Sequence, residues 1–251
     1  MGKLKWVVLA TALVAAALAG SAPAITYGRP DGAAHPNVGA LIAQSATGLK
    51  LYCSGSLIAP RVFLTAAHCT EPLLEHGVND AYVTFDEHAS VTSSQLLHGV
   101  IVQDPLFNKS QSDPADLAVI LLDRAVKGTA PVTLPAAGSL DMLGAKNGLK
   151  PATFVVVGYG VHQPSVPWDQ SRWQAISGYN SSPGVWLHLT QNASLGFGGT
   201  CTGDSGGPVF LGSVQAAVTI SGDPMCKSTS DDYRLDTVQA RAFLGQFVAL
   251  P

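Results

Sequence analysis

Short apolar runs recur along the chain after residue 24, and no helical spacing of apolar residues interrupts them. The runs cover residues 38–42, 57–64, 81–85, 96–102, 117–122, 153–157, 185–189, 209–210 and 214–220. Proline and glycine stand in nearly every gap, as at Asp104-Pro105 and Gly158-Tyr159-Gly160. Short strands at this spacing, separated by turn residues, predict an all-β barrel or sandwich.

Two segments depart from this pattern. The C-terminus is predicted to be helical, with Thr237 as its N-cap, and we expect no other helix. The Pro/Gly-rich stretch at 131–150 is the predicted connection between two halves of the chain. With 251 residues the chain is long enough for one large β domain or for two small barrels that share a core.

The first 24 residues have the pattern of a secretory signal peptide. Lys3 and Lys5 precede an apolar run at 6–19, and Ala22-Pro23-Ala24 has the small residues of a cleavage site. The apolar run is too short to span a bilayer readily, so a membrane anchor is not expected. We therefore expect residues 1–24 to be removed, a mature domain at 25–251, secretion to the extracellular space and no stable membrane association.

Charge and cysteine content exclude several classes of function. The formal net charge is −3 and no cluster of Lys or Arg occurs, so a nucleic-acid partner is not expected. Four cysteines in an exported chain favour two disulfides, for which three pairings are possible. We prefer Cys53–Cys69 and Cys201–Cys226 because each closes a short local loop. No CxxC zinc pattern occurs, and we predict neither a metal nor a cofactor.

A glycine-rich heptapeptide at 202–208, Thr-Gly-Asp-Ser-Gly-Gly-Pro, is the strongest candidate for chemistry. Glycines let the backbone approach a substrate carbonyl, which suits a nucleophile loop around Ser205. The same residues also satisfy the Gly-x-Ser-x-Gly elbow of α/β-hydrolases. Taken alone, the heptapeptide does not show whether Ser205 belongs to an α/β-hydrolase or to a different hydrolase fold.

A histidine and an aspartate upstream separate these alternatives. His68 follows the run at 57–64 and adjoins Cys69, while Asp116 opens a strand apolar enough to be buried. A buried carboxylate needs donors, and an imidazole N–H is a suitable one. An α/β-hydrolase needs its histidine after the serine, and none follows Ser205. A subtilisin-like order would require Asp31 as its aspartate, but no buried strand precedes that residue.

Three segments, Thr-Ala-Ala-His-Cys at 65–69, Asp-Leu-Ala-Val-Ile-Leu-Leu at 116–122 and the heptapeptide at 202–208, resemble the signature segments of trypsin-like serine proteases. The strand ending in Gly158-Tyr159-Gly160 is similar to that family's Gly-Trp-Gly. The resemblance implies two six-stranded antiparallel β-barrels with a C-terminal helix, the active site between the barrels, and the same two disulfides. It also implies a serine endopeptidase, which we expect to be a monomer.

The resemblance further implies a role for individual residues. His68 would be the general base, Asp116 its orienting partner and Ser205 the nucleophile, with an oxyanion hole at the N–H groups of Gly203 and Ser205. A new N-terminus at Ile25 would pair with Asp204, and signal cleavage after Ala24 would itself create it. A short propeptide starting after Ala19 is the alternative.

Substrate preference follows less directly from the resemblance. Gly199 and Thr200 stand where trypsin's pocket aspartate is expected, and Gly222 matches the pocket-wall glycine, so a neutral or apolar pocket is favoured. Asp231 or Asp232 would restore a basic preference, but both are expected to be solvated loop residues. Partners would be protein or peptide substrates and protein inhibitors. A catalytically inactive binding protein and an esterase-like acyl hydrolase are the alternatives.

Overall fold

The computed structural model describes residues 25–161 and 168–251, so the predicted signal peptide and its cleavage site lie outside the described residues. Most of the described chain is β-structure. The strands are β1 (Arg29–Pro30), β2 (Val38–Ser45), β3 (Gly48–Ala59), β4 (Val62–Thr65), β5 (Asp80–Thr84), β6 (Leu97–Gln103), β7 (Ala118–Leu122), β8 (Thr153–Gly158), β9 (Trp173–Ser181), β10 (Trp186–Thr190), β11 (Pro208–Leu211), β12 (Val214–Gly222) and β13 (Thr229–Arg234). The helices are α1 (Ala67–Glu75), α2 (Ser139–Ala145) and α3 (Val238–Leu244), and a 3-10 turn covers Ala193–Leu195.

The strands form two closed antiparallel barrels, which confirms the predicted fold class. The first barrel has the strand order β2-β3-β4-β7-β6-β5 and closes through β2 and β5. The second has the order β9-β10-β13-β12-β11-β8 and closes through β8 and β9, with β1 added outside β9. Closure removes exposed sheet edges and leaves each barrel an interior filled by side chains.

Polar contacts as well as apolar packing join the two barrels. Apolar residues of the first barrel and of β11 to β13 share one hydrophobic core. Within that interface Ser56 on β3 donates a hydrogen bond of 2.7 Å to the Gln215 side chain on β12, and both residues are fully buried. A buried hydroxyl and amide without partners would each be costly, so this bond favours one relative placement of the barrels. The residues at the junction are thereby held in fixed positions.

The structure corrects several expectations about local structure. The run at 57–64 is not one strand, because Pro60 and Arg61 form the turn between β3 and β4. Strands β1, β9 and β13 were not predicted, and neither were helices α1 and α2. Helix α2 lies in the segment at 131–150 that was expected to be only a connection. Among the described residues no helix has the length and apolar character needed to cross a membrane.

The C-terminal helix begins at its predicted N-cap. The Thr237 hydroxyl accepts a hydrogen bond of 3.3 Å from the Ala240 N–H, which satisfies one of the free donors of the first turn. Ala240, Phe243 and Leu244 are buried, so α3 packs on the core through them.

Replacing Thr237 with alanine is expected to lower the free energy of unfolding by about 1 kcal/mol, because that first-turn donor loses its partner. Chemical denaturation of both proteins measures the difference. Val238→Ala is the matched control, because the adjacent Val238 side chain is 89% exposed and caps nothing. Equal losses in the two variants would contradict the capping role.

Candidate active site

The first barrel brings His68 and Asp116 to the same edge. Strands β4 and β7 are hydrogen-bonded neighbours, and Thr65 at the end of β4 pairs with Ala118 at the start of β7. His68 lies just beyond β4 in the first turn of α1, and Asp116 lies just before β7. Antiparallel neighbours place the end of one strand beside the start of the other. Residues far apart in sequence therefore meet at one point.

Asp116 holds His68 through two hydrogen bonds. One carboxylate oxygen accepts the His68 backbone N–H at 2.8 Å, and the other lies 2.8 Å from the ring Nδ1. The backbone N–H is a first-turn donor of α1, which needs an acceptor from outside the helix. The carboxylate beside Nδ1 requires the ring proton there, which leaves Nε2 free to accept a proton.

Asp116 is buried at the base of this arrangement. Only 4% of its side chain is exposed, against 24% for His68, so the imidazole lies between the carboxylate and solvent. The preceding residue, Ala115, has a φ of 48°, in the left-handed region that residues other than glycine rarely adopt. Such strain is retained where the surrounding structure imposes it, and here it directly precedes the residue that orients the histidine.

The loop that carries Ser205 belongs to the second barrel but is fastened to the first. Ser54 on β3 donates its backbone N–H to the Ser205 carbonyl at 2.9 Å and its hydroxyl to the Gly203 carbonyl at 3.0 Å. Within the loop the Gly207 N–H donates to the Asp204 carbonyl at 2.8 Å. Ser54 was not predicted as a site residue, because its only signal in the sequence is a polar residue beside Cys53 in a buried strand.

Two glycines give the serine loop its shape. Gly203 has a φ of 98° and Gly206 a φ of 81°, both in the left-handed region that favours glycine. A Cβ at Gly206 would also collide with the Thr65 side chain and the Ser54 carbonyl. Neither the Gly203 N–H nor the Ser205 N–H donates to another described residue. Both N–H groups are available for an external acceptor, as an oxyanion hole requires.

Ser205 and His68 line the same open cleft, which has a volume of about 390 Å³. Within the described residues the Ser205 hydroxyl does not hydrogen-bond to the ring, whose Nε2 lies 3.8 Å from Cys69 Sγ. Catalytic hydrogen bonds are often long or misaligned before substrate binds. The structure thus brings His68 and Ser205 to one cleft and joins Asp116 directly to His68.

Two disulfides hold the walls of the cleft. Cys53 is bonded to Cys69, which ties α1 to β3 beside His68. Cys201 is bonded to Cys226, which ties the serine loop to the chain beyond Gly222. Cys53, His68 and Cys69 also bring three potential metal-binding atoms together. Both cysteines are in the disulfide, however, so the group offers no thiolate to a metal.

The carboxylate of Asp204 is fully buried behind the serine loop. It accepts the backbone N–H groups of Gly160 and Cys201, each at 2.8 Å. Burial raises the pKa of Asp204 to about 7, although these two hydrogen bonds oppose the rise. Ile25 is also fully buried, and the next residue, Thr26, forms an isolated β-bridge with Gly199.

Two of the three residues predicted to bind substrate line the cleft, and the third, Gly199, is not among its lining residues. Thr200 and Gly222 line it, together with Thr219 and Ser205. Gly199 lies next to Thr200, and a Cβ at this position would overlap the Gln191 side chain. Gly199 therefore faces a buried glutamine.

The expectation that Asp231 and Asp232 are solvated loop residues was wrong. Both lie on β13, where cross-strand pairing with β10 and β12 encloses them. Asp232 is fully buried, while the half-buried Asp231 has its carboxylate 2.6 Å from His188 Nδ1. These sequence neighbours project to opposite faces of the strand, because side chains alternate along a strand.

Comparison with known proteins gives one family. The model of the trypsin family matches residues 29–235. The chain is 28% identical over 190 residues to a chymotrypsin from Phaedon cochleariae, a match that covers 70% of this chain and 65% of that protein. The chain thus spans slightly less than two thirds of this relative's length.

A solved structure supports the same fold. It is neuropsin, described as a serine protease expressed in the limbic system of mouse brain. The likeness has a TM-score of 0.63 at 21% identity and covers 87% of this chain and 97% of that chain. At this identity it is evidence for the fold alone.

Proposed function

The chain belongs to the trypsin family, and from that premise we propose that it is a secreted serine endopeptidase that hydrolyses peptide bonds through His68, Asp116 and Ser205. The observation that carries the proposal is the pair of hydrogen bonds by which Asp116 holds both the backbone and the ring of His68. Asp31 holds His35 through the same pair of contacts; what distinguishes the Asp116–His68 pair is that His68 also lines the cleft that contains Ser205.

In the proposed mechanism, His68 Nε2 takes the Ser205 hydroxyl proton as Oγ attacks the scissile carbonyl carbon. The Gly203 and Ser205 N–H groups then stabilise the oxyanion of the tetrahedral intermediate. When the C–N bond breaks, His68 gives its proton to the leaving amine and an acyl-enzyme remains. Water, deprotonated by His68, releases the acid product and restores the serine. Asp116 stabilises the imidazolium in both stages.

Hydrolysis of a peptide library by the purified protein tests this function. We expect internal peptide bonds to be cut without an added metal or cofactor. Hydrolysis of small esters alone would favour the acyl-hydrolase alternative. A folded protein that cuts neither peptides nor esters would favour the inactive binding protein. Secretion, a monomeric state and recognition by protein protease inhibitors are parts of the same proposal.

The proposal includes an activation step at Ile25. Cleavage after Ala24 would free the α-amino group of Ile25, and the buried Asp204 carboxylate would receive it as an ion pair. Two observations support this: Asp204 has no cationic partner among the described residues, and the Thr26–Gly199 bridge fixes the chain beside Ile25 close to the serine loop. Pairing would remove the cost of an unpaired buried charge and order the oxyanion hole.

A chain that begins at Ile25 is expected to have a kcat/KM roughly 100-fold higher than the same chain with one alanine added in front. The added residue displaces the charged amino group from Asp204, and the loss of one partner of a buried pair costs about 3–5 kcal/mol, only part of which reaches the oxyanion hole. Active-site titration and peptide hydrolysis of the two proteins measure the effect. N-terminal sequencing of the secreted protein is expected to find Ile25. Active secreted protein beginning at Gly20 or Ser21, or equal activity of the two chains, would contradict the step.

The sign of the pH effect follows from the raised pKa of Asp204. A carboxyl group whose pKa is higher in the folded state than in the unfolded state destabilises the fold as pH rises between the two values. Without the amino group, stability is therefore expected to fall between about pH 4 and pH 7. The chain that begins at Ile25 is expected to keep most of its stability over this pH range. Urea titrations of the two proteins at both pH values measure the difference in the free energy of unfolding.

A further inference from the structure

A buried tyrosine connects the chain that follows β8 to the first barrel. Tyr159 directly follows β8 and is fully buried, and its hydroxyl donates a hydrogen bond of 2.7 Å to the Asp86 carbonyl beyond β5. The same hydroxyl accepts a hydrogen bond of 3.1 Å from the Arg172 guanidinium. Burial raises the pKa of Tyr159 to about 12, so the hydroxyl keeps its proton and remains a donor.

The guanidinium of Arg172 is itself held in one position. Its side chain is only 3% exposed, and its Nε donates a hydrogen bond of 2.9 Å to the buried Asp31 carboxylate. Besides the Tyr159 hydroxyl, the two Nη atoms donate to the backbone carbonyls of Gly32, Val38 and Phe85. A buried cation needs an anion and acceptors for its N–H groups, and Arg172 has both. The tyrosine hydroxyl is therefore fixed by a group that is fully bonded.

The Tyr159–Val161 segment leads from this hydroxyl to the serine loop. The N–H of its last residue donates a hydrogen bond of 2.7 Å to the Thr202 carbonyl. The Thr202–Gly203 peptide is trans, and in a trans peptide the C=O and N–H groups point in opposite directions. The bond to the carbonyl therefore sets the direction of the Gly203 N–H, which is one of the two donors of the proposed oxyanion hole.

The other two N–H groups of this segment hold the next residues of the loop. The Gly160 N–H donates a hydrogen bond of 2.8 Å to the Asp204 carboxylate. The Tyr159 N–H donates to the Ser54 hydroxyl at 2.9 Å, and this hydroxyl donates to the Gly203 carbonyl at 3.0 Å. The position of the segment thus determines the position of the loop just before the nucleophile.

We propose that Tyr159 and Arg172 are positioning residues for the oxyanion hole, an inference that rests on the proposed endopeptidase function. Arg172 fixes the Tyr159 hydroxyl, the tyrosine fixes the segment, and the segment directs the Gly203 N–H. Neither side chain is among the residues that line the cleft, so both act through the backbone of the loop. The tryptophan of the similar Gly-Trp-Gly in trypsin-like proteases could not replace Tyr159, because its indole N–H accepts no hydrogen bond from a guanidinium.

Tyr159→Phe tests the proposal with the smallest change, because it removes only the hydroxyl. Active sites are counted by titration, so that kcat refers to correctly folded protein. Complete removal of one oxyanion donor lowers kcat by about 10²- to 10³-fold, and a loosened donor is expected to cost less. We expect the variant to lower kcat for one peptide by about 10-fold and to change KM less than about twofold. Arg172→Lys is expected to have a similar effect, because an ammonium group cannot reproduce the guanidinium fork.

Tyr179→Phe and Arg234→Lys are the matched controls. The Tyr179 hydroxyl lies 3.0 Å from the Ser182 hydroxyl, and the buried Arg234 is paired with Asp236. Within the described part of the chain, neither side chain lines the cleft or bonds to the serine loop. Both changes are expected to lower the unfolding temperature and to leave kcat per active site within about twofold of the wild-type value.

Two peptide inhibitors give a second readout, which a loss of stability alone would not change. A peptide aldehyde forms a hemiacetal with Ser205 and places its oxygen in the oxyanion hole. The same peptide with a reduced CH2–NH bond has no oxygen at that position. In Tyr159→Phe the inhibition constant of the aldehyde is expected to rise about 10-fold, and that of the reduced peptide less than about twofold.

The outcomes separate this inference from the proposed function. Wild-type kcat per active site in Tyr159→Phe would overturn the positioning role and leave the endopeptidase intact. Equal weakening of the two inhibitors, or a higher KM with unchanged kcat, would also overturn it, because the loss would then lie in substrate binding. A folded wild-type protein that cleaves no peptide and does not bind the aldehyde would overturn the proposed function, and the positioning role with it.

Discussion

Replacing Ser205 with alanine is expected to lower kcat for peptide hydrolysis by about 10⁶-fold. The variant lacks only the hydroxyl oxygen that forms the acyl-enzyme. Its backbone contacts remain, since the Ser205 carbonyl still accepts the Ser54 N–H and the loop keeps its glycines. The residual rate over water would come from binding and from the Gly203 and Ser205 N–H groups. Steady-state hydrolysis of one peptide by both proteins measures the loss.

Ser213→Ala is the matched control for this variant. Ser213 is exposed between β11 and β12 and lines no part of the cleft. It is expected to retain full activity, while Ser205→Ala unfolds at the wild-type temperature within a few degrees. A Ser205→Ala protein with more than about one hundredth of the wild-type rate would mean that another group is the nucleophile.

Replacing Asp116 with asparagine is expected to lower kcat by about 10⁴-fold with little change in KM. The amide has nearly the shape of the carboxylate, and its oxygen can still accept the His68 backbone N–H. Its NH2 group then faces Nδ1, which places the ring proton on Nε2 and leaves no base for Ser205. The separate effects on kcat and KM, with the ring-nitrogen resonances of His68, measure the tautomer change directly.

Asp113→Asn is the control for this second variant, because Asp113 lies in the same segment but accepts hydrogen bonds from Ala115 and Tyr233 instead of His68. It is expected to change kcat less than about tenfold. Equal losses in the two variants would show that the segment matters only for structure. An Asp116→Asn protein with the wild-type tautomer and rate would contradict the role given to this carboxylate.

Strands could be predicted from the sequence where they are formed by runs of apolar residues. Strands β2, β7 and β12 are apolar runs bounded by turn residues, and such runs can be recognised without a partner strand. Strand β13, Thr-Ser-Asp-Asp-Tyr-Arg, is polar and becomes a strand only through its pairing with β10 and β12. Tertiary pairing overrides local propensity there, and this is why the burial of Asp232 could not be predicted.

Helix α1 also could not be predicted from its local sequence. Its sequence contains Pro72 and an unfavourable Cys-Thr pair, and its N-cap, Ala66, makes no side-chain cap. Contacts from distant parts of the chain hold it, among them the Cys53–Cys69 disulfide and the Asp116 carboxylate on the His68 N–H. The residue types of the candidate site could be predicted from three motifs. The bond from Asp116 to the His68 backbone, and the Ser54 contacts that fasten the serine loop, depend on the assembled barrels.

The central claim is that Ser205 is a nucleophile activated by His68, and covalent labelling tests it most directly. The purified protein is treated with a fluorophosphonate and the modified residue is located by peptide mass spectrometry. We predict one adduct per chain, on Ser205, whose formation slows at least 100-fold in His68→Ala. A correctly folded protein that begins at Ile25 and stays unlabelled at Ser205, or is labelled equally fast without His68, would contradict the account.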